Sequence, residues 1–218
     1  MLKKVFNGVF LKRLDNIIQW QDKDVIFKES VSSHSYKVSV FCTLVLDEIF
    51  EEENNKEDVV NFKLRCIKHA IYHDWDEALI MRDISHETKY NSFNGEEIRA
   101  CLNNLSKELS KREFLNEGKI KTVYNAMNES NEAVHAVVKF CDWLAMIFYL
   151  HREESLGNKT LTEQKEYSYS SIVDAYNTMR IKINGYFGSD VVKDLNWGEI
   201  IEFLKMFKIE LKLEENDC

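Results

Sequence analysis

The stretch Ala70-Ile71-Tyr72-His73-Asp74-Trp75-Asp76-Glu77-Ala78-Leu79 sets a histidine beside an aspartate inside an apolar, helix-forming segment, with Glu77 one turn further on. Adjacent residues on a helix point about 100° apart. They still converge on one small object when it sits at a helix end or in a groove between helices. A divalent cation is such an object, and imidazole nitrogen with carboxylate oxygen suits a borderline or hard one. Taken alone, such a dipeptide is far more often a buried His–Asp contact, or a loop histidine beside a capping aspartate. The choice rests on whether the remaining chain supplies further ligands.

With 218 residues, one domain with a full core is the default expectation. Hydrophobic residues make up 44% and charged residues 30%, an ordinary balance for a soluble protein. The apolar stretches around 38–46 and 136–150 are too short, or carry a Lys or Asp, so no membrane span is expected. Met1-Leu2-Lys3-Lys4 is not followed by an uninterrupted apolar run, so no signal peptide is expected. None of the five cysteines (Cys42, Cys66, Cys101, Cys141, Cys218) forms a Cys-x-x-Cys pair, and four lie in apolar, helix-like contexts. That argues for buried free thiols in a reducing cytoplasm, and against a disulfide frame or cysteine zinc site. The net charge of -8 argues against binding a nucleic acid polymer. There is no proline, and only seven glycines, which favours long helices over many short strands.

Apolar spacing then lays out an all-α chain. A first helix is expected up to Trp20, followed by a loop over 21–31. Ser32 or Ser33 is expected to cap a second helix over about 33–52, with Tyr36, Val40, Leu44 and positions 45–50 forming its apolar face. A third helix over 59–72 delivers His73-Asp74 near its C-terminal end, and 75–81 continues as a short helix. After an irregular segment over 82–95, helices are expected over 96–114, 119–152 (interrupted near 128–130), 163–186 and 197–213.

Two more positions stand out against these helices. His34 opens the second helix, and Asp142 lies in the most apolar part of a late one. A buried lone carboxylate is costly unless it is paired or metal-bound. Lys139 and Arg152 offer pairing as the alternative.

The order His34 … His73-Asp74 … Asp142 resembles the HD-domain metal-dependent phosphohydrolases, and is most similar to small bacterial 5′-deoxynucleotidases of the YfbR type. Glu29-Ser30-Val31-Ser32-Ser33-His34-Ser35 looks like that family's E-x-V-S-E-H-S, and Tyr72-His73-Asp74-Trp75-Asp76-Glu77 looks like Y-H-D-x-x-E. Asp83-Ile84-Ser85-His86-Glu87-Thr88-Lys89-Tyr90 resembles D-L-P-T-P-x-K-Y, and Val138-Lys139-Phe140-Cys141-Asp142 resembles V-K-x-A-D. Arg13-Leu14 … Trp20 is similar to the family's opening helix. The resemblance implies a single-domain HD-type helical bundle over 1–218, with its metal-site core at about 13–158 and C-terminal helices at 163–213.

By that resemblance His34, His73, Asp74 and Asp142 hold one divalent metal ion (Mn, Co, Fe or Mg), and Asp74 and Glu77 are catalytic. Two imidazoles and two carboxylates leave positions on an octahedral ion for water and a phosphate oxygen. Trp20, Gln19, Asp83, Lys89 and Arg82 fall at substrate-binding positions. The resemblance is broken at Gln19, where the family has a phosphate-contacting Arg, at Ser33, where it has Glu, and at Arg82, where it has Gly. A neutral amide does not replace a bidentate cation; Lys37, Arg82, Lys89 and Arg13 are the candidate substitutes, Lys89 first. The expected activity is hydrolysis of a small nucleotide, most simply a deoxynucleoside 5′-monophosphate. The alternatives are a dNTP triphosphohydrolase, a cyclic-nucleotide phosphodiesterase, or a non-catalytic nucleotide binder. The expected setting is a cytoplasmic homodimer. His69 is expected on a helix surface, and His86, His135 and His151 in solvent.

Overall fold

Helices form where apolar residues recur every three or four positions, with no proline to break the ladder. The computed structural model of the chain describes residues 9–51, 56–80, 83, 95–117, 120–188 and 195–207. Nine α-helices lie among the described residues: α1 (Val9–Asn16), α2 (Val31–Ile49), α3 (Glu57–Tyr72), α4 (Trp75–Ile80), α5 (Gly95–Ser110), α6 (Lys121–Met127), α7 (Glu132–Ser155), α8 (Thr162–Phe187) and α9 (Gly198–Met206). A π-helical segment, Lys111–Glu117, continues α5. Among these residues β pairing is confined to one isolated antiparallel bridge, Ile18 to Ser30. The all-α expectation holds.

The chain divides into two compact units: Met1–Lys37 with Lys68–Glu129, and Val38–Ile67 with Ser130–Cys218. In the first unit Leu14, Ile17, Val31 and Ala78 form a buried cluster, with Leu11 and Trp75 packed on its edge. The first helix stops at Asn16, short of the expected Trp20. Ile17 and Ile18 continue the apolar period, but the backbone leaves the helix there. The amide of Val31 donates to the carbonyl of Ile17 at 2.9 Å, and that of Gln19 to Glu29 at 2.8 Å. Helix α2 begins at Val31, and its cap is Ser30, not Ser32 or Ser33. The Ser30 hydroxyl oxygen accepts from the Ser33 amide at 3.2 Å, satisfying a donor of the first turn.

The expected apolar face of α2 also needs correction. Tyr36, Val40 and Leu44 are exposed, whereas Val38, Cys42, Val45, Leu46 and Ile49 are buried. This helix carries two apolar stripes, and its period alone does not say which one faces the core.

The second unit is built on α7 and α8, which pack along each other. Asn131 caps α7 by accepting from the amides of Ala133 and Val134. The break at 128–131 falls where it was expected. Gly188, with φ of 74°, closes α8 in a left-handed conformation that L side chains rarely adopt. Helix α7 is long and apolar enough to cross a membrane by length and composition, but 72% of its apolar window is buried in the protein, as in a core helix. Cys42, Cys66 and Cys141 are buried in this unit as free thiols, while Cys101, in the first unit, is exposed. Burial, reinforced by a hydrogen bond with Cys42, pushes the Cys141 thiol well above its usual range.

Two polar contacts yield measurable consequences. Glu29, 1% exposed, is ion-paired with Lys37. Replacing Lys37 with Met leaves that carboxylate without its cation, and is expected to lower unfolding free energy by about 1–3 kcal/mol in urea titrations. Adding Glu29→Gln recovers part of the loss. On α7, His151 shares a 2.6 Å hydrogen bond with the Tyr169 hydroxyl of α8. Burial first, then nearby Lys165, holds the His151 imidazole below its usual 6.5. The unfolded chain therefore binds more protons than the folded one between the depressed value and 6.5. Stability from this group is present above about pH 6.5 and is lost as pH falls through the depressed value. Chemical denaturation across that window should show a steeper acid-side loss for the natural chain than for His151→Phe.

Candidate metal centre

The break between α3 and α4 builds this site. Helix α3 ends at Tyr72, and the next two residues, His73 and Asp74, form a turn before α4 starts at Trp75. The Asp74 carbonyl accepts the Glu77 amide at 3.1 Å, so the turn feeds directly into α4. The His73 Nδ1 lies 2.7 Å from the carbonyl oxygen of Ala70. A carbonyl only accepts, so Nδ1 carries the proton and Nε2 is left as the basic, metal-directed nitrogen.

His34 comes from the first turn of α2. Its Nε2 lies 3.7 Å from Asp74 Oδ2, and the His73 Nε2 lies 3.0 Å from the same oxygen. The two imidazole rings have centroids 5.6 Å apart. One donor atom from each of His34, His73 and Asp74 thus falls within 4.8 Å of the others. Neighbouring ligands on an octahedral ion with bonds near 2.1 Å are separated by about 3 Å, so the set needs little adjustment to hold a divalent cation. The nitrogen and oxygen donors suit Mn, Fe, Co or Mg better than a soft ion. All three residues belong to the first unit.

Glu77 lies one turn after Asp74 and is 3% exposed. Its neighbour Ala78 belongs to the apolar cluster with Val31, which precedes His34 by three residues. The same cluster therefore fixes the start of α2 and the start of α4. Around it, Trp75 packs edge-on against Tyr72 at 4.6 Å and, tilted, against Phe114 at 6.0 Å.

On the expected substrate side, Gln19 is half-buried, with its backbone tied to Glu29. Trp20 has φ of +62°, a value that a bulky aromatic residue adopts at a cost of about 1–3 kcal/mol. Its amide donates to Asp83 Oδ2 at 2.8 Å. Arg82 and Lys89 lie outside the described residues, as does His86. Asp142 belongs to the second unit, on α7. It is half-buried and ion-paired with Lys139 at 2.8 Å, the pairing alternative noted above. The ammonium of Lys139 also sits 4.9 Å from the Trp143 ring centroid.

Sequence reasoning misplaced His69. It is buried, and its Nδ1 lies 2.8 Å from the carbonyl oxygen of Ala126, fastening α3 to α6. Reasoning from sequence also missed the Ala70 carbonyl that sets the His73 tautomer. The signal existed: a helix-terminal histidine has the carbonyl three residues back within reach. His135 is exposed as expected, while His151 is half-buried against Tyr169.

Known proteins give the geometry a context. Over 94% of this chain and 99% of the other, the fold superposes at a TM-score of 0.64 and 15% identity on an HD-domain phosphohydrolase from Listeria innocua. A conserved hypothetical protein from Pyrococcus furiosus matches with a TM-score of 0.59 and 22% identity, over 93% of this chain and 99% of that one. A protein from Pyrococcus horikoshii matches with the same TM-score and identity, over 88% and 99%. At these identities the likeness is one of fold. No curated protein matches in sequence. The sequence model described as 5′-deoxynucleotidase YfbR-like matches residues 8–195, running through both units. With the histidine pair, Asp74 and the HD-type fold already in place, the chain belongs to the YfbR-like 5′-deoxynucleotidase family, and is an HD-type phosphohydrolase.

Proposed function

We propose that this hydrolase cleaves the phosphate ester of a small nucleotide, foremost a deoxynucleoside 5′-monophosphate, releasing deoxynucleoside and phosphate. The observation that carries the reading is the convergence of His34, His73 and Asp74 donor atoms within 4.8 Å, one turn before a buried Glu77. Family membership supports the nucleotide as substrate. Asp142 is proposed as a fourth ligand, on resemblance alone. Gln19, Trp20, Asp83, Arg82 and Lys89 are proposed to face the substrate. The chain is read as one HD-type domain acting as a homodimer in the cytoplasm.

A divalent ion bound by these ligands would acidify a coordinated water and polarise the P–O bond. The protein's part is positioning and proton movement. His34 and His73 both bring Nε2 toward Asp74 Oδ2, and the Ala70 carbonyl keeps the His73 proton on Nδ1. Asp74 supplies anionic charge. Glu77 takes a proton from the attacking water as the new O–P bond forms. It returns that proton to the 5′ oxygen as the P–O5′ bond breaks. Burial of Glu77 keeps bulk water from competing for that proton.

A second reading, a triphosphohydrolase or a cyclic-nucleotide phosphodiesterase, is favoured by Gln19. A neutral amide at the position before Trp20 supplies no cation to a terminal phosphate. A non-catalytic binder is disfavoured, because it has no use for a buried Glu77 beside the ligand set.

A nucleotide panel assayed with Mn, Co and Mg, scored for phosphate, triphosphate and ring-opened products, separates these readings; turnover of none by metal-loaded protein rejects them all. Asp74→Asn is expected to abolish both bound metal, measured by elemental analysis, and activity, while the helical circular dichroism persists. Glu77→Gln is expected to keep the metal and lower kcat by roughly 10²–10⁴-fold. Asp142→Asn is expected to weaken metal affinity in calorimetric titration, and unchanged affinity would remove Asp142 from the ligand set.

A further inference from the structure

In the second unit, helices α2, α7 and α9 bring four phenyl rings together at the surface. Phe148 on α7 stands in the middle. Its ring centroid lies 5.0 Å from that of Phe41 on α2 and 5.3 Å from that of Phe207, the residue after α9. Phe203 stacks on Phe148 at 6.3 Å and meets Phe207 edge-on at 5.4 Å. Rings in mutual contact usually close a core, yet Phe148 is 41% exposed. Val40 and Leu44 share the Phe41 face of α2 and are exposed too, and Met206, at the end of α9, is 78% exposed. Apolar residues scattered singly over a surface need no explanation, whereas a contiguous patch marks an interaction site. The exposed parts of these side chains amount to roughly 500 Å², the better part of the ~800 Å² that each partner gives to a standard interface.

Charge decides what fits this patch. The chain carries a net charge of -8. Its surface therefore attracts cations, and repels a copy of itself wherever the anions are spread. The side chains that build the patch are uncharged. At its edges Asp47, one turn after Leu44, is paired with Lys63 at 2.7 Å, and Glu202 is paired with Lys205 at 2.7 Å. Each edge thus joins one anion to one cation, and a basic partner gains nothing there. A twofold contact sets a surface against its own copy, so the surface has to match itself. Phenyl rings against phenyl rings satisfy that condition. So does an edge that carries both signs, because anion then faces cation across the axis.

We propose that this face, centred on Phe148, is where two copies of the chain meet, burying α9 and the outer stripe of α2. The proposal rests on the homodimer reading above and names its surface. Phe148 fills the middle of the contact. Its neighbours Phe41, Phe203 and Phe207 already hold it, so little side-chain freedom is lost when the copies join.

Sedimentation equilibrium of the full chain tests the face. The natural chain is expected to be a dimer. Leu44→Glu and Met206→Glu each bring two carboxylates into a twofold contact, one from each protomer. Both side chains are exposed and outside the core, so the helical circular dichroism is expected to stay unchanged. Each substitution is expected to raise the dimer Kd by at least roughly a hundredfold. Ile181→Glu is the control. Ile181 is exposed on α8 beside Lys182, whose ammonium pairs with Glu132 at the opposite end of α7 from Phe148. This substitution is expected to leave the Kd as it was, and an equal weakening by it would overturn the proposal, because any added charge would then act. A dimer that survives Leu44→Glu and Met206→Glu overturns the face and leaves the homodimer reading standing. A natural chain that sediments as a monomer overturns both, and assigns the face to the chain's own residues beyond Phe207 or to a different protein.

Discussion

The carboxylate of Asp74 sits where two imidazole nitrogens point, and this convergence constrains the rest of the first unit. A neutral imidazole presents one basic nitrogen, and the hydrogen bond on the other nitrogen fixes which one it is. For His73, that bond runs to the carbonyl of Ala70. Ala70 lies in the last turn of α3, where carbonyls lack a helical partner. The helix therefore has to end at Tyr72. A longer α3 would spend the Ala70 carbonyl on its own ladder and leave the tautomer unset. The break also lets the Asp74 carbonyl start α4, and α4 buries Glu77. One two-residue turn thus supplies two of the three converging donor groups and leads directly into the helix that buries Glu77.

How much of this was legible in the sequence depends on how local each cause is. His73, Asp74 and Glu77 form one short segment, and their relation follows from helix geometry. His34 needed a long-range partner, and its motif Ser32-Ser33-His34-Ser35 lies at a helix start that serines mark clearly. The break between α6 and α7 was legible because Asn131 is a strong cap. The phase of α2 was not, because Tyr36, Val40 and Leu44 form a stripe as regular as the buried one. Choosing between two stripes needs knowledge of the packing partner. The end of α1 was missed for a related reason. Ile17 and Ile18 extend the helical period, yet Ile18 is claimed by a bridge to Ser30, twelve residues on in sequence. His69 shows the reverse error: the ligand set is complete without it, which suggested surface, yet a single carbonyl acceptor permits its burial.

Asp142 marks where resemblance and packing have to be kept apart. Its apolar surroundings demanded a partner for the charge. Lys139, one turn earlier on α7, provides one at 2.8 Å. That ammonium is itself held against Trp143. An i,i+3 pair of this kind is worth a few tenths of a kcal/mol, at roughly 0.2–0.5.

The apolar cluster of Leu14, Ile17, Val31 and Ala78 explains why these features can coexist. Burying each of the Leu14, Ile17 and Val31 side chains contributes about 1.5–3 kcal/mol. That is comparable to the cost of a left-handed tryptophan, at about 1–3 kcal/mol. Ile17 lies three residues before Trp20, Val31 three before His34, and Ala78 directly after Glu77. The left-handed Trp20 backbone, His34 and the buried Glu77 are each anchored to the same small core by a few residues of chain. Such short tethers leave these groups little freedom. Loosening the cluster would therefore disturb all three together, even where no polar contact had been touched.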